Sequence, residues 1–199
     1  AGRGSIEPGT RSLNIFEFLM ALYAIVAGLG VSLLVRSVGQ MIEARDRVQL
    51  YWVHSCWIAL VFVAHVVSWF ALWRFAGHAP WTVLQALLLL CVPIFLYLIS
   101  HLAVPELEDG RTHHMREYYY RHAGWMQGLL FNVLLCGSAA QVFIEGRPDL
   151  TGAGAVRATL AVVLLPGIFS RRPALHAAQA VLLVLIMLYA VSFVARPIG

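Results

Sequence analysis

The feature that most constrains this chain is a recurrence of apolar runs too long and too poor in charge to fold facing water. The run at 51–73 contains no Asp, Glu, Lys or Arg. A helix rises about 1.5 Å per residue, so crossing a hydrocarbon core of roughly 30 Å takes about 20 apolar residues. Six segments meet or approach that length: 15–35, 51–73, 81–104, 123–144, 152–170 and 174–194. The first is expected to continue as an amphipathic helix to residue 45. The fifth is the weakest, because Arg157 lies in its first turns and Pro166 interrupts it. Only 12% of the residues are charged, against about 25% in an average soluble domain. A lipid solvent explains that composition. The fold class expected is all-α: one transmembrane domain over 1–199, a bundle of six membrane-spanning helices, multi-pass, in a bacterial inner membrane.

Turn-rich or charged segments at 77–80, 105–110, 145–152 and 171–173 separate the spans. The first run follows Arg3 and Arg11 but lacks a small-residue cleavage site, so it is expected to be kept as a span. With six crossings both termini share one side, here side A. Side B then receives Arg36, Arg45, Arg47, Arg111, Arg116, Arg121, Arg171 and Arg172. Side A receives Arg3, Arg11, Arg74, Arg147, Arg157 and Arg196. The bias towards side B predicts that it is cytoplasmic. The net charge of +4 is carried by arginine alone. These arginines are scattered between apolar runs, which fits lipid headgroups and not nucleic acid. Trp52, Trp57, Trp69, Trp73, Trp81 and Trp125 fall near span ends, as interfacial aromatics do. Cys56, Cys91 and Cys136 lie within apolar runs without metal-ligand spacing and read as packing residues.

Helices in a bilayer associate through small residues. Two four-residue ladders qualify: Ala24, Gly28 and Ser32 on the first span, and Gly124, Gly128, Asn132, Cys136 and Ala140 on the fourth. They are expected to face other helices, or else a narrow pathway. Gln127, Asn132 and Gln141 are expected to hydrogen bond between helices. Glu17 sits one turn inside the first span, and Arg74 and Arg157 reach the same side. A Glu17–Arg74 or Glu17–Arg157 pair would lower the cost of burying either charge.

Six of the eight histidines, His54, His101, His113, His114, His122 and His176, collect on side B. Glu106, Glu108, Asp109, Glu117 and the triplet Tyr118, Tyr119 and Tyr120 accompany them. Residues 112–123 are expected to form a short interfacial helix with His114, Tyr118 and His122 along one face. Histidine, carboxylate and tyrosine suit a metal site, a proton relay or a pH sensor. They also suit the wet interface with no ligand at all. A haem held by His54 and His101, on different helices at matching depth, is geometrically open, and the sequence identifies no cofactor. His65, near the middle of the second span, reads as a satisfied core histidine.

The stretches FEFLMALYAIVAGLGVSLLV, VQLYWVHSCW and REYYYRHAGW resemble a group of uncharacterised bacterial six-helix integral membrane proteins. That resemblance covers most of the chain and implies the fold without an activity. More distantly, Phe18 followed after four residues by Tyr23, Ala24 and Ile25 is similar to the first helix of bacterial relatives of the lysosomal potassium channel. The Phe-Ser-Asp signature of that family is absent, since Leu19 and Met20 follow Phe18.

The leading functional expectation is a channel or transporter for an ion or small solute. The face with Ala24, Gly28 and Ser32 would line or abut the pathway, and Glu17 with Arg157 or Arg74 would form a polar constriction at side A. The alternatives are an accessory structural subunit of a larger membrane complex, and a haem- or metal-binding redox protein using His54, His101, His114 and His122. The partners expected are the lipid bilayer and either a second copy or the subunits of a complex. The sequence holds no GxSxG or HExxH motif, so no catalytic residue is assigned.

Overall fold

A computed structural model describes residues 14–105, 107, 111–149 and 152–194, with side chains as far as 191. Arg3, Arg11 and Arg196 of the arginine comparison, and Glu106, Glu108 and Asp109 of the side-B cluster, lie outside the described residues. The described chain forms six α-helices: α1 (Ile15–Glu43), α2 (Trp52–Ala71), α3 (Val83–Ala103), α4 (Met115–Glu145), α5 (Ala153–Phe169) and α6 (Pro173–Val194). Two-residue strands β1 (Val48–Gln49) and β2 (His113–His114) pair in parallel and tie the α1–α2 connection to the start of α4.

Local chemistry sets the helix starts. Asn14 accepts from the backbone of α1 while the Glu17 carboxylate accepts from Asn14 N–H, a reciprocal capping box. Thr82 and Gln85 do the same for α3. Gly146, at φ 72°, closes α4 in the left-handed conformation that glycine adopts without strain.

Among the described residues five helices are long and apolar enough to cross a bilayer, as in a multi-pass membrane protein. α5, with 17 residues, reaches about 25 Å. Pro166 lies inside it without ending it. Each helix runs opposite to the one before. α3 packs mainly on α4 and α1, α5 lies against α4, and α6 closes the bundle between α2 and α5. Leu34, Val53, Trp57, Leu96, Ile99 and Met126 form the centre. Phe18, Ile25, Leu29, Val35 and Ile42 on α1, and Leu185 and Leu188 on α6, are more than half exposed. An outer surface of this kind is stable against lipid tails and not against water.

Three expectations change. No separate interfacial helix exists at 112–123, because 115–123 are the first turns of a continuous 31-residue α4 and His113 and His114 belong to β2. Nothing there breaks helical geometry, so the amphipathic start and the apolar run share one axis. Trp57, near the start of α2, is wholly buried in the core and does not face outwards, whereas Trp52, Trp73 and Trp125 are half exposed or more. The ladder of Ala24, Gly28 and Ser32 lies on the exposed side of α1, and Gly28 has open space beyond it.

Candidate functional site

α4 brings polar groups together at both ends of the bundle. At side B it meets α2, α5 and α6. His176 opens α6 and is fully buried. Its Nε2 lies 2.7 Å from Ser170 O. A carbonyl only accepts, so Nε2 carries the hydrogen and Nδ1 is the acceptor. Tyr119 O–H donates to that Nδ1 at 2.9 Å and Gln127 Nε2 at 3.1 Å. Gln127 and Gln179 join side chains, and Gln179 Nε2 donates to Val163 O at 2.6 Å. The two amides fit only because residue 167 is a glycine: a Cβ there would overlap both. A buried network with every member satisfied is rigid, and removing one member orphans the others.

Aromatic rings extend this network outward. Tyr51 and Tyr120 share a hydroxyl hydrogen bond of 3.0 Å. Tyr119 lies edge-on to His176, with ring centres 5.5 Å apart. His54 stands between Tyr118 and Tyr119, at 5.8 and 6.3 Å. Tyr118 O–H is shared between Leu102 O and Val104 O, which fixes α4 to the end of α3.

Beyond Tyr118 lies an open cleft of about 490 Å³, lined among others by His101, Arg111, His113, His114, Arg121 and His122. The side-B gathering of histidines expected from the sequence is therefore real in space, but it divides. His101, His114 and His122 face the cleft. His54 is buried behind Tyr118 with its Nε2–H on Ala103 O at 3.0 Å. Of the two histidines considered for a haem, His101 is therefore exposed at the cleft, whereas the His54 ring nitrogen Nε2 is already committed to the backbone. Among the described residues no group of three or more His, Cys, Asp or Glu is placed to hold a metal ion.

The expected pair of Glu17 with Arg74 or Arg157 is also replaced. Glu17 is exposed and spends its carboxylate on the α1 cap. Arg74 instead meets Glu145 at 2.7 Å and Asp149 at 3.9 Å. Arg157 turns into the α4–α5 seam, where Nε donates to Ser138 Oγ at 3.2 Å and Nη2 to Gln141 Oε1. Gln141 passes the chain to Glu145 at 3.0 Å. α4 ends beside both arginines, whereas Glu17 lies on a helix that packs on the other side of α3.

A third polar contact lies at mid-depth. Ser100 Oγ donates to Leu96 O and accepts from His65 Nε2–H at 3.0 Å. The His65 ring presses on Gly30 of α1. Nδ1 of His65 is buried without a partner, so the ring is only half satisfied. Tyr23 turns its hydroxyl towards Ser68 without closing a hydrogen bond.

Sequence reasoning named Gln127, Gln141, His54 and His65 but missed Glu145, Gln179, Ser100, Gly30 and Gly167. Gln179 had a legible signal, as an amide inside a run of apolar residues. Gly30 and Gly167 had none, because nothing near them in sequence marks the ring or amide that each accommodates. Comparison with family models, curated proteins and solved structures gives no match.

Proposed function

We propose that all six helices cross the bilayer of a bacterial inner membrane, with side B cytoplasmic, and that the bundle moves an ion or small solute between its faces. The observation that carries this reading is the pair of polar networks on α4. The side-B network runs from the cleft past Tyr118 and His54 to Tyr119, His176, Gln127 and Gln179. The side-A network joins Ser138, Gln141, Arg157, Glu145 and Arg74. Ionisable groups at membrane depth are costly and mark pathways and relays. Gln127 and Ser138 lie eleven positions apart on α4, about 16 Å along its axis, a short gap between the two networks. The side-A constriction of this proposal is built on Arg157 and Glu145, with Glu17 left to its cap.

Flux in liposomes holding the purified protein tests the reading. Proton, potassium and chloride gradients are imposed with and without a membrane potential. Flux above that of empty liposomes, reduced by Gln127→Leu in protein that keeps its fold, supports it. Flux equal to the empty control for all three ions refutes transport of these ions.

A second reading, a subunit of a larger membrane complex, is favoured by Asn132, a polar side chain exposed on the outer face of α4. Mass spectrometry after gentle extraction separates the two, since additional subunits would move the work from the bundle interior to its surface. The redox reading has to contend with a His54 Nε2 already bonded to Ala103 O, and an absorption spectrum without a Soret band would end it.

A further inference from the structure

The outward side of α4 carries a pattern that the bundle does not use. Trp125, Gly128, Asn132, Leu135, Ala139 and Val142 follow one another at alternating steps of three and four. This heptad spacing keeps one stripe aligned along a left-handed helix pair. The stripe lies opposite the residues that α4 buries against its neighbours, Met126, Gln127, Val133, Leu134, Ala140 and Gln141. Trp125 is 73% exposed, Leu135 50% and Val142 40%. Gly128 has no atom within 4 Å of where a Cβ would stand, so a second helix can approach closely there.

Asn132 distinguishes this stripe from a plain lipid-facing surface. It stands midway between Arg121 and Glu145, the charged residues that bracket the apolar part of α4. It is exposed, and one amide N–H returns to Gly128 O at 2.8 Å. The carboxamide oxygen and the second N–H remain on a side chain that would otherwise face hydrocarbon at the bilayer centre. A carboxamide both donates and accepts, so it is complementary to itself. Copies of one chain share an orientation in the membrane, and a two-fold axis along the membrane normal brings like residues together at equal depth. A second copy therefore supplies the missing donor and acceptor at the right level without further adjustment, and an asparagine at one seam position also fixes register.

We infer that two copies of this chain pair in parallel along the outward face of α4, with the Asn132 carboxamides hydrogen bonded across the seam. The inference rests on α4 crossing the bilayer and not on transport, so a negative flux assay leaves it standing.

The test uses the full chain, labelled for energy transfer and diluted stepwise with lipid in liposomes. Asn132→Leu keeps the branched outline of the side chain and removes the amide, and Gly128→Leu fills the close approach. Both positions are open in the single copy, so both variants fold, as a circular dichroism melt would record. The dimer is expected in the unaltered chain, weakened by on the order of tenfold by Asn132→Leu and abolished by Gly128→Leu. Ser32→Leu, on the exposed face of α1, leaves it intact. Three results overturn the inference: a monomer at every lipid ratio, so that lipid alone covers the face; an oligomer indifferent to both α4 variants; or an oligomer broken by Ser32→Leu.

Discussion

Gly30 and Gly28 are two residues apart on the same helix, yet the structure assigns them opposite sensitivities. A Cβ at position 30 would lie 2.5 Å from both Cε1 and Nε2 of His65 and 3.3 Å from Ser100 Oγ. Ordinary contact is above 3.4 Å, so the imidazole must retreat by about 1 Å in a close-packed interior. Overpacking of this kind costs about 1–3 kcal/mol. Losing the His65–Ser100 hydrogen bond adds about 0.5–1.5 kcal/mol. Alanine returns about 1 kcal/mol through its better helix propensity. The sum is a net loss of about 0.5–3.5 kcal/mol for Gly30→Ala. At about 2–4 °C per kcal/mol for a chain of this length, the melting temperature falls by several degrees. Gly28→Ala meets open space and should be neutral or slightly stabilising. The assay is thermal unfolding in a mild detergent, followed by circular dichroism for both variants and for His65→Ala with and without Gly30→Ala. If the clash is with the imidazole, Gly30→Ala loses its penalty in the His65→Ala background, a coupling that a double-mutant cycle reads directly. A neutral Gly30→Ala, or a penalty unchanged by removing the ring, would refute the reasoning.

Further substitutions probe the two ends of α4. Tyr119→Phe removes one donor from His176 Nδ1 while Gln127 still reaches it, so the loss is about 1 kcal/mol. His176→Ala strands Tyr119, Gln127 and Ser170 O together and should cost about 2–5 kcal/mol; chemical unfolding would rank the two, and the reverse order would contradict the network. Gly167→Ala should destabilise through the Gln127 and Gln179 amides, and Gln127→Ala should recover part of the loss in the same melt. At side A, Arg74→Ala disturbs a pair whose side chains are 33% and 29% exposed and should cost at most about 1 kcal/mol. Arg157→Met takes the donor away from Ser138 Oγ and from Gln141 Oε1 inside the helix seam and should cost more, about 1–3 kcal/mol; equal melting temperatures for these variants would place Arg157 outside the seam.

What the sequence determined by itself is what depends on neighbours along the chain. Apolar runs of a given length, caps such as Asn14 with Glu17, and breakers such as Gly146 fix where helices lie. Alternating direction then assigns each histidine to an end, and that assignment placed His54, His101, His114, His122 and His176 at one end. Only the tertiary structure decided partners within that end, because a side chain's neighbour depends on helix rotation and on which helices touch. Rotation turned Ala24, Gly28 and Ser32 outwards and Gly30 inwards, although all four are small residues on one helix. The packing order set α4, and not α1, beside Arg74 and Arg157, which gave those charges to Glu145 and Gln141 and left Glu17 to its cap. Helix periodicity is local and is written in the sequence. Helix adjacency is a property of the whole bundle, decided by which faces bury most together.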